Sequence, residues 1–554
     1  MKYLSKTIEI GLYLLVFFLP FGTRWIIKTG ELNHGPWEYG TYSLYGTDVL
    51  LMALILLFIV REIAASAGYG LLAMTEKMVY DNKTIRWFIC GLVLASAVSV
   101  FFSADKFLAI YKFGWLIMGL GLFWLVVSAD YSRLKLIYSM LAGAFLSAGL
   151  GIWQFLNQAA FASKWLGLAE HQGIDLGASV IEAVGSDGVG ERWLRAYGAM
   201  DHPNVLGGVL ALGIIFTVYQ IIAYEKSSGF SIFDFRFSNK MQNANPPAIL
   251  RDNFSAQGGS ASGRQTIFND KIFNFINWLM ILVFTAALFF SFSRSAWLAL
   301  AAGLIVIIVF TVAGGNLKRQ RALAEIILAM GILVFVVFSQ YQNLVVARLN
   351  SEGRLETKSN FERLASYKEA WRLIQDDSLI GVGPGNYTLA LNRLLPWQES
   401  YYYQPTHNVF LLIWSEIGIF GLLSFLGMIV YLIIINFSPF TKASEDKQFF
   451  PLRQGFGGQV IFNEGFENLS IGNCLKIVNC KLKIRNSYLA KNLMFNTSVL
   501  IALIVLMFFD HWLWSLHFGV LYFWLVLGLV VTPLAKVSPA GAGDFSGKVK
   551  YKSP

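Results

Sequence analysis

The chain has 554 residues, of which 56% are hydrophobic and only 14% are charged, whereas about 25% of the residues in an average soluble domain are charged. Apolar stretches of membrane-spanning length recur from one end of the sequence to the other. This composition excludes a soluble enzyme, a disordered chain and a small disulfide-bonded secreted module. We therefore expect an all-α polytopic membrane protein.

Twelve stretches approach the length of about 20 mostly apolar residues that a transmembrane helix requires. The predicted spans are 8–27, 46–60, 87–102, 107–128, 136–157, 203–224, 274–292, 295–313, 323–340, 407–436, 495–513 and 517–535. The gaps at 103–106 and 514–516 are very short, so these two boundaries are the weakest part of the prediction.

The distribution of basic residues predicts the orientation of the spans, because cytoplasmic loops carry an excess of Lys and Arg. If the N-terminus is cytoplasmic, the segments on that side hold 29 of the 44 Lys and Arg residues. We therefore place both termini in the cytoplasm. The same excess accounts for the net charge of +10, so the charge does not indicate a nucleic-acid partner.

The spans and loops divide the chain into four parts. Residues 1–194 hold the first five spans and an outer loop, and residues 195–436 form a core that includes the outer loop 341–406. Residues 437–494 form a cytoplasmic insertion, and residues 495–554 hold the last two spans and a cytoplasmic tail. We expect this insertion and a second one at 225–273 to be flexible, and a short hairpin could form at 471–485.

Arg294 interrupts a nearly continuous apolar stretch that runs from 275 to 313. The stretch is about twice the length of one span, so the arginine marks a turn between two helices at the outer face. A guanidinium binds phosphate through a planar fork of N–H donors, and Ser291, Ser293 and Ser295 add further donors. We interpret Arg294 as the site of an anionic group. The alternative is an arginine that only extends to the membrane interface.

Arg195 lies shortly before the sixth span, on the side of the membrane where basic residues are disfavoured. It could bind an anionic lipid head group, or it could form a surface ion pair with Glu191 or Asp201. We expect Asp201 or His202 near the cap of the sixth helix. Pro203 suits the first turn, where a backbone N–H is not required.

The outer loop 341–406 is too long for a simple connection between spans. Within it, Ser359-Asn360-Phe361-Glu362 has the spacing of a capping box and predicts a helix that ends near Gln375. Its expected apolar face comprises Phe361, Leu364, Ala365, Trp371 and Ile374, flanked by Arg363 and Arg372. The glycine-rich segment 381–387 lacks the Lys-Ser/Thr pair of a phosphate loop, so we predict a tight structural turn there.

The start of the tenth span carries the clearest candidate for catalysis. Thr406 is a plausible N-cap, which would place His407 in the first helical turn, where the helix dipole disfavours imidazolium. Neutral imidazole is what a general base requires, although an interfacial histidine is the alternative. Glu416 should face away from His407 and pair with a neighbouring helix, while Gly418 and Gly421 permit close helix packing.

Asp510 and His511 follow the eleventh span and could join the same site. A membrane-interface belt of Trp512, Trp514 and His517 is the more ordinary interpretation of this segment. No group of carboxylates, imidazoles or cysteines has the sequence spacing of a metal site, and no G-x-S-x-G motif indicates a serine hydrolase. We therefore expect neither a metal nor a cofactor.

Three motifs in this order resemble the O-antigen ligase and O-antigen polymerase superfamily. They are Ser293-Arg294-Ser295-Ala296-Trp297-Leu298 at the start of a helix, the glycine-rich segment 381–387, and His407-Asn408-x-x-Leu411 followed by Glu416-x-Gly418-x-x-Gly421. The resemblance covers roughly residues 195–435. Twelve spans with a large outer loop between the ninth and tenth are similar to the arrangement of the ligases.

The resemblance implies a GT-C-like, inverting and metal-independent glycosyltransferase in the bacterial inner membrane, with its active site facing the periplasm. The donor would be an undecaprenyl-diphosphate-linked glycan, and the acceptor a sugar hydroxyl on lipid A–core or another glycan, or a protein side chain. Arg195 and Arg294 match arginines expected to hold the donor diphosphate, and Arg363 matches a basic residue in the outer loop. His407 matches the histidine proposed to activate the acceptor hydroxyl.

The resemblance leaves several functions open. An O-antigen ligase in lipopolysaccharide assembly, an O-antigen or exopolysaccharide polymerase and a protein O-oligosaccharyltransferase would share these motifs. A polysaccharide transporter or flippase is the alternative of another class. Such a protein should carry ionisable residues deep in several helices and show repeated halves, whereas the charged candidates here cluster toward the outer side.

Overall fold

The computed structural model describes most of the chain outside the predicted insertions. The described residues are 1–66, 83–175, 177–184, 190–223, 261–350, 354–445 and 487–532. The predicted insertions 225–273 and 437–494 fall largely outside these ranges, and the predicted hairpin at 471–485 falls entirely outside them.

The described part of the chain is mainly helical. In chain order the helices are α1 (Lys2–Phe18), α2 (Gly46–Ser66), α3 (Lys83–Phe102), α4 (Lys106–Ser128), α5 (Arg133–Asn157), α6 (Pro203–Ala223), α7 (Ala261–Ser291), α8 (Arg294–Ala313), α9 (Leu317–Gln340), α10 (Gln342–Asn350), α11 (Arg354–Asp376), α12 (Tyr387–Leu394), α13 (Val409–Glu445), α14 (Ser487–Phe509), α15 (Trp512–Ser515) and α16 (His517–Val531). Two short 3-10 helices cover Glu38–Gly40 and Ser400–Tyr402.

Within the described residues, nine helices are long and apolar enough to cross a membrane: α3 to α9, α13 and α14. The protein is therefore a multi-pass helical membrane protein. The other three predicted spans also fall on helices, but α1 has 17 residues, α16 has 15, and α2 carries Asp48, Arg61 and Glu62. The count of twelve spans and the GT-C fold stay predictions.

The predicted first span, 8–27, is wrong in its extent. Helix α1 ends at Phe18, two residues before Pro20, and residues Arg24–Lys28 form a strand instead. Pro20 has no backbone N–H to continue the helical hydrogen bonding, so the apolar run is longer than the helix it encodes. The short gap predicted at 103–106 separates α3 from α4, as expected. The gap predicted at 514–516 is misplaced, because α14 already ends at Phe509 and residues 514–515 belong to the short helix α15.

Helix α6 forms the centre of the bundle, because nearly all of its residues are buried inside the protein. It packs against α5, α7, α8, α9 and α14. Helix α13 packs against α3 and α14, and α16 packs against α4. Because α6 is covered by protein around its whole circumference, its first turn is a rigid support for side chains at one end of the bundle.

Short antiparallel hairpins cover the end of the bundle where α13 begins and α14 ends, which we call the site end. The strands are β1 (Arg24–Lys28), β2 (Glu31–Leu32), β3 (Gly35–Pro36), β4 (Tyr42–Tyr45), β5 (Ala159–Ala160), β6 (His171–Gln172), β7 (Val180–Val184) and β8 (Gly190–Leu194). They pair as β1–β4, β2–β3, β5–β6 and β7–β8. The loop between β2 and β3 contacts the long loop, since Asn33 Nδ2 donates to the Pro396 carbonyl.

The long loop contains a helix as predicted, but the predicted start is wrong. Within the described residues, helix α11 begins at Arg354, so Ser359–Glu362 lies inside the helix and is not its cap. Ala370, Leu373 and Ile374 are buried, whereas Phe361, Leu364 and Trp371 of the predicted apolar face are exposed. Only some of the apolar residues of α11 contact the rest of the protein. The sequence alone does not show which of these residues are buried.

The glycine-rich segment forms the predicted tight turn. Gly381, Gly383 and Gly385 have φ values of 77°, 105° and 69°, a region that side chains with a Cβ rarely adopt. The turn packs against a break in α13 at Ile417 and Gly418. There, the N–H of Gly383 donates to the carbonyl of Glu416 at 2.8 Å, so the turn satisfies a carbonyl that the break frees from helical bonding.

Candidate functional site

Helix α13 begins two residues later than the sequence indicated. The Asn408 side chain is the N-cap, because its Oδ1 accepts the N–H groups of Phe410 and Leu411 at 2.9 and 3.0 Å. The prediction that Thr406 caps the helix is therefore wrong, and His407 lies just before the cap. Asn residues rank among the best N-caps, and this one also reaches α14 through the Phe508 carbonyl.

His407 lies beside Asp510 and His511, which follow the end of α14. The potential ligand atoms of the three side chains lie within 4.8 Å of one another, and the two imidazole centroids are 5.2 Å apart. Asp510 and His511 therefore join the candidate site, which the sequence raised only as the less ordinary interpretation. We call these three residues the His–Asp cluster.

The expected membrane-interface belt after α14 is wrong, because its members are covered by protein. Trp512 is only 1% exposed. Trp514 Nε1 donates to the Glu416 carboxylate at 2.8 Å, and His517 Nε2 lies 2.6 Å from Asp48 Oδ1. The expectation that Glu416 pairs with a neighbouring element is confirmed by its bond to Trp514.

Arg195 connects to the His–Asp cluster through a buried hydrogen-bond path. Its guanidinium donates to the Ser291 carbonyl, Ser179 Oγ and Asn204 Oδ1 at 2.7 to 2.8 Å. Asn204 Nδ2 in turn donates to Asp510 Oδ2 at 3.0 Å. We call Arg195, Asn204 and Asp510 the buried path. It fixes the guanidinium and the carboxylate relative to each other.

The first turn of α6 places Asn204 in this path. Helix α6 starts at Pro203, as predicted. The Nδ1 atom of His202 accepts the N–H of Asn204 at 3.1 Å, so His202 caps the helix, one of the two candidates for that position. The cap holds the buried Asn204 in the first turn of α6, at the site end of the bundle.

Arg294 lies at the predicted turn between two spans, where it is the first residue of α8. It is half-buried and three residues beyond Ser291, whose carbonyl accepts the Arg195 bond. Phe292 adopts a left-handed φ of 46° in this turn. Its carbonyl accepts a bond from buried Arg348 at 3.3 Å, a contact that no sequence motif indicated.

Helix α11 covers the His407 loop with the face that carries Arg363. Tyr367 Oη donates to the His407 carbonyl at 3.4 Å, and Ser366 Oγ lies 3.5 Å from Thr406 Oγ1. The half-buried Arg363 is close enough for its charge to act on all three residues of the His–Asp cluster. The cluster therefore faces a cation from the long loop.

Both imidazoles of the cluster are neutral at pH 7. Burial lowers the pKa of His407 below its ordinary value of 6.5, and the Arg363 charge lowers it further while Asp510 opposes the shift. Burial lowers the pKa of His511 to about 4. Burial alone would raise the pKa of Asp510, but His511, His407 and His202, which carry charge only in acid, and the Arg363 cation outweigh burial and lower this pKa. Burial, the largest cause of this shift, favours the neutral form of His407 that the sequence predicted from the helix dipole.

His407 and His511 differ in their hydrogen bonding. His511 Nδ1 lies 2.6 Å from Ser515 Oγ, whereas His407 Nδ1 is buried and has no hydrogen-bond partner among the described residues. A neutral imidazole has one donor and one acceptor nitrogen. His407 is therefore the imidazole of the cluster with unused capacity to bond an incoming group.

The His–Asp cluster is also the set of described residues that comes closest to a metal site. The sequence spacing did not indicate it, because the three ligands come from two distant loops. Both Asp510 oxygens already accept N–H bonds, from Asn204 and from the His511 backbone. The Arg363 cation also acts on all three residues. Since a nearby cation disfavours a dication, the arrangement suits an anionic ligand better.

A cavity of about 40 Å³ adjoins the cluster and contains a residue that the sequence analysis missed. Lys112 lines the cavity, with its ammonium 3.5 Å from the centroid of the Trp115 ring. Glu416 and Ser515 also line it, and Ser515 bonds to His511. A lysine seven residues into an apolar span is itself a signal of function, which could have identified it.

The fold and this site define a multi-pass helical membrane protein with arginines and histidines gathered at one end of its spans. Residues 278–426 match the family described as O-antigen ligase. The match contains Arg294, Arg363 and His407, and it confirms the predicted relationship to the O-antigen ligase superfamily. It indicates a glycosyltransferase-type enzyme of polysaccharide assembly that uses lipid-linked glycans. No curated protein matches the chain.

Proposed function

We propose that the protein transfers a glycan from undecaprenyl diphosphate to a hydroxyl of an acceptor, as an O-antigen ligase does in lipopolysaccharide or surface polysaccharide assembly. The active site would face the periplasm from the bacterial inner membrane. The observation that carries the proposal is the buried path from Arg195 through Asn204 to Asp510, which ends beside the neutral His407.

In the proposed reaction, neutral His407 accepts the proton of the acceptor hydroxyl. The hydroxyl oxygen forms a bond to C1 of the donor sugar while the bond from C1 to the diphosphate oxygen breaks. The electron pair of the broken bond leaves on the diphosphate lipid, and the configuration at C1 inverts. The Asp510 carboxylate stabilises the imidazolium that forms, as the carboxylate of a catalytic triad does.

The arginines stabilise the charge that develops on the diphosphate. Guanidinium groups fixed in a poorly hydrated site lower the energy of a developing anion, because they need no reorganisation during the reaction. In this proposal, Arg294 at the start of α8 and Arg363 on α11 bind the diphosphate. Arg195 is held by three protein acceptors, so it contributes its charge and also positions Asn204 and Asp510.

Because arginines supply the positive charge, we expect transfer to proceed without a metal ion. Purified protein that has been treated with EDTA should keep its full transfer rate in proteoliposomes. The measurement is the initial rate with a lipid-diphosphate glycan and an acceptor, before and after addition of Mg²⁺ or Mn²⁺. A rate that falls with EDTA and returns with either ion would contradict this part of the mechanism.

The pH dependence of transfer should report the pKa of His407. The base is active only when neutral, so the rate should fall as the pH drops through a pKa below 6.5. Arg363→Gln removes a cation that lowers this pKa and should move the acidic limb to higher pH. Asp510→Asn removes an anion that raises it and should move the limb to lower pH.

The measurement is the pH–rate profile of each protein at saturating donor, and the position of the limb is compared rather than the height of the plateau. Limbs that do not move, or that move in the same direction in both variants, would show that His407 is not the titrating base.

Reconstitution distinguishes the proposed function from its close alternatives. Purified protein in proteoliposomes is given a lipid-diphosphate glycan together with lipid A–core, a second donor molecule or an acceptor protein. A single larger product on lipid A–core supports a ligase, a ladder of products indicates a polymerase, and a modified protein indicates an oligosaccharyltransferase. No product with any of the three would overturn the proposed function.

A further inference from the structure

The cavity that adjoins the His–Asp cluster meets it through three residues of its lining. Ser515 Oγ lies 2.6 Å from His511 Nδ1, and Ser515 also lines the cavity. Tyr39, which precedes β4, lines it as well, and its ring centroid is 6.3 Å from that of His511. Pro405 lines it two residues before His407. A group in the cavity therefore lies beside the cluster that contains the proposed base.

Two ionisable side chains of membrane-spanning helices also line the cavity. Lys112 lies six residues after the first residue of α4, and Glu416 lies seven residues after the first residue of α13. Since an α-helix rises by about 1.5 Å per residue, each lies about 10 Å along its helix. Ionisable residues at such positions are costly and mark functional sites. Neither residue takes part in the proposed proton transfer or in diphosphate binding.

Lys112 has unused hydrogen-bonding capacity. Its ammonium lies 3.5 Å from the centroid of the Trp115 ring, and the described residues offer it no hydrogen bond. An ammonium has three N–H donors. The face of an aromatic ring attracts the charge but provides no oxygen acceptor. Lys112 can therefore donate to an oxygen atom of a group that enters the cavity.

Glu416 provides an acceptor in the same cavity. Its Oε2 accepts the N–H of Trp514 at 2.8 Å, and the two oxygens of a carboxylate have further lone pairs. The charge of Glu416 also acts on Lys112. A hydroxyl both donates and accepts, so it matches the two residues together. A charged group would be attracted by one of them and repelled by the other.

The size and the walls of the cavity narrow the class of ligand further. A water molecule needs about 10–15 Å³ of such space, so a cavity of about 40 Å³ holds about three waters. That is the size of one polar substituent rather than of a whole sugar ring. Tyr39, Tyr387 and Trp514 line it with aromatic surface, and binding pockets commonly combine such surface with a few placed polar groups.

We propose that this cavity is a specificity pocket for the acceptor and takes a neutral, hydroxyl-bearing substituent of the acceptor sugar. Lys112 donates to the oxygen of the substituent and Glu416 accepts its O–H, while another hydroxyl of the same sugar reaches His407. The acceptor is the fitting ligand, because the base must contact the sugar whose hydroxyl it deprotonates. The choice of the acceptor rests on the proposed transfer, whereas sugar binding in the cavity does not.

Chemical labelling of Lys112 tests the binding without any transfer. The purified full-length protein is acetylated in detergent with limiting acetic anhydride, and the modified fraction of each lysine is measured by mass spectrometry. Methyl glucoside and methyl galactoside are the neutral probes, and glucuronate and inorganic phosphate are the anionic probes. Lys106, the exposed first residue of α4, is the matched control.

We expect a loss of Lys112 acetylation that grows with the concentration of a neutral glycoside and saturates, with no change at Lys106. Protection by phosphate or glucuronate that equals or exceeds protection by the glycosides would identify an anion pocket and overturn the proposal. No protection by any of the four probes, or equal protection of Lys106, would overturn it as well.

The second measurement is the KM for the acceptor in the transfer reaction. Lys112→Met keeps a side chain that packs on Trp115 but loses the donors, and Glu416→Gln keeps an acceptor for Trp514 but loses the charge. Each should raise the KM for the acceptor about 10- to 100-fold, as loss of one hydrogen bond to a charged group does. The KM for the donor should stay unchanged, and Lys106→Met should change neither value.

A rise in the KM for the donor, alone or as large as that for the acceptor, would place the donor sugar in the cavity and overturn the proposal. Unchanged KM values in both variants would also overturn it. If the wild-type protein transferred no glycan while the glycosides still protected Lys112, the proposed function would fail, but sugar binding in the cavity would be supported.

Discussion

Replacement of His407 by alanine is expected to lower glycan transfer by about 10²–10⁴-fold, the range over which a positioned general base accelerates a reaction. The reason is that His407 is the neutral imidazole of the His–Asp cluster whose Nδ1 has no partner among the described residues. The measurement is the initial rate of product formation in proteoliposomes with equal amounts of folded protein.

His407→Gln separates proton transfer from simple hydrogen bonding. An amide can bond to the acceptor hydroxyl but cannot take its proton, so this variant should be as slow as His407→Ala. His171→Ala is a suitable control, since His171 lies on β6 and its ring stacks on Tyr197 rather than on a residue of the His–Asp cluster. A rate close to that of the wild type in His407→Gln would contradict the role of His407 as a base.

Replacement of Arg294 by alanine should produce the second large effect, a loss of about 10²–10³-fold in kcat, as removal of one fixed donor from a developing anion does. Arg294 begins α8 at the turn whose carbonyls are held by Arg195 and Arg348. These bonds fix the backbone of the turn from which the Arg294 side chain extends.

Arg294→Lys keeps the charge but loses the planar fork that matches phosphate, so we expect only partial recovery. Arg192→Gln is the matched control, because Arg192 lies on the outer hairpin, 3.7 Å from Glu182. The comparison uses kcat and the KM for the donor in each variant. If Arg294→Ala raised only KM and left kcat unchanged, Arg294 would bind the donor without stabilising its departure.

Features set by neighbouring residues could be predicted from the sequence. The turn at Arg294 followed from an apolar stretch too long for one span, and the turn at 381–387 followed from its glycines. The start of α6 at Pro203 followed from the preference of proline for the first turn of a helix, where a backbone N–H is not required. Each of these depends on a few adjacent residues, so the pattern along the chain contained the necessary information.

The composition of the site depended on contacts that the sequence could not show. Asn204 and Asp510 are separated by 306 residues but share a hydrogen bond, and Lys112 reaches the cavity from a helix with no motif. Burial rather than helix position lowers the pKa of His407, and burial is a property of the packed bundle. For the same reason, the sequence predicted the apolar face of α11 but not that Phe361, Leu364 and Trp371 on it are exposed.

The most direct test of the account measures lipid diphosphate released by the purified protein from a lipid-diphosphate glycan. We predict that release requires the acceptor, matches the glycosylated product mole for mole and disappears in His407→Ala. Movement of the intact donor across the membrane with no release of lipid diphosphate would instead identify a flippase, and it would contradict the catalytic role of the His–Asp cluster.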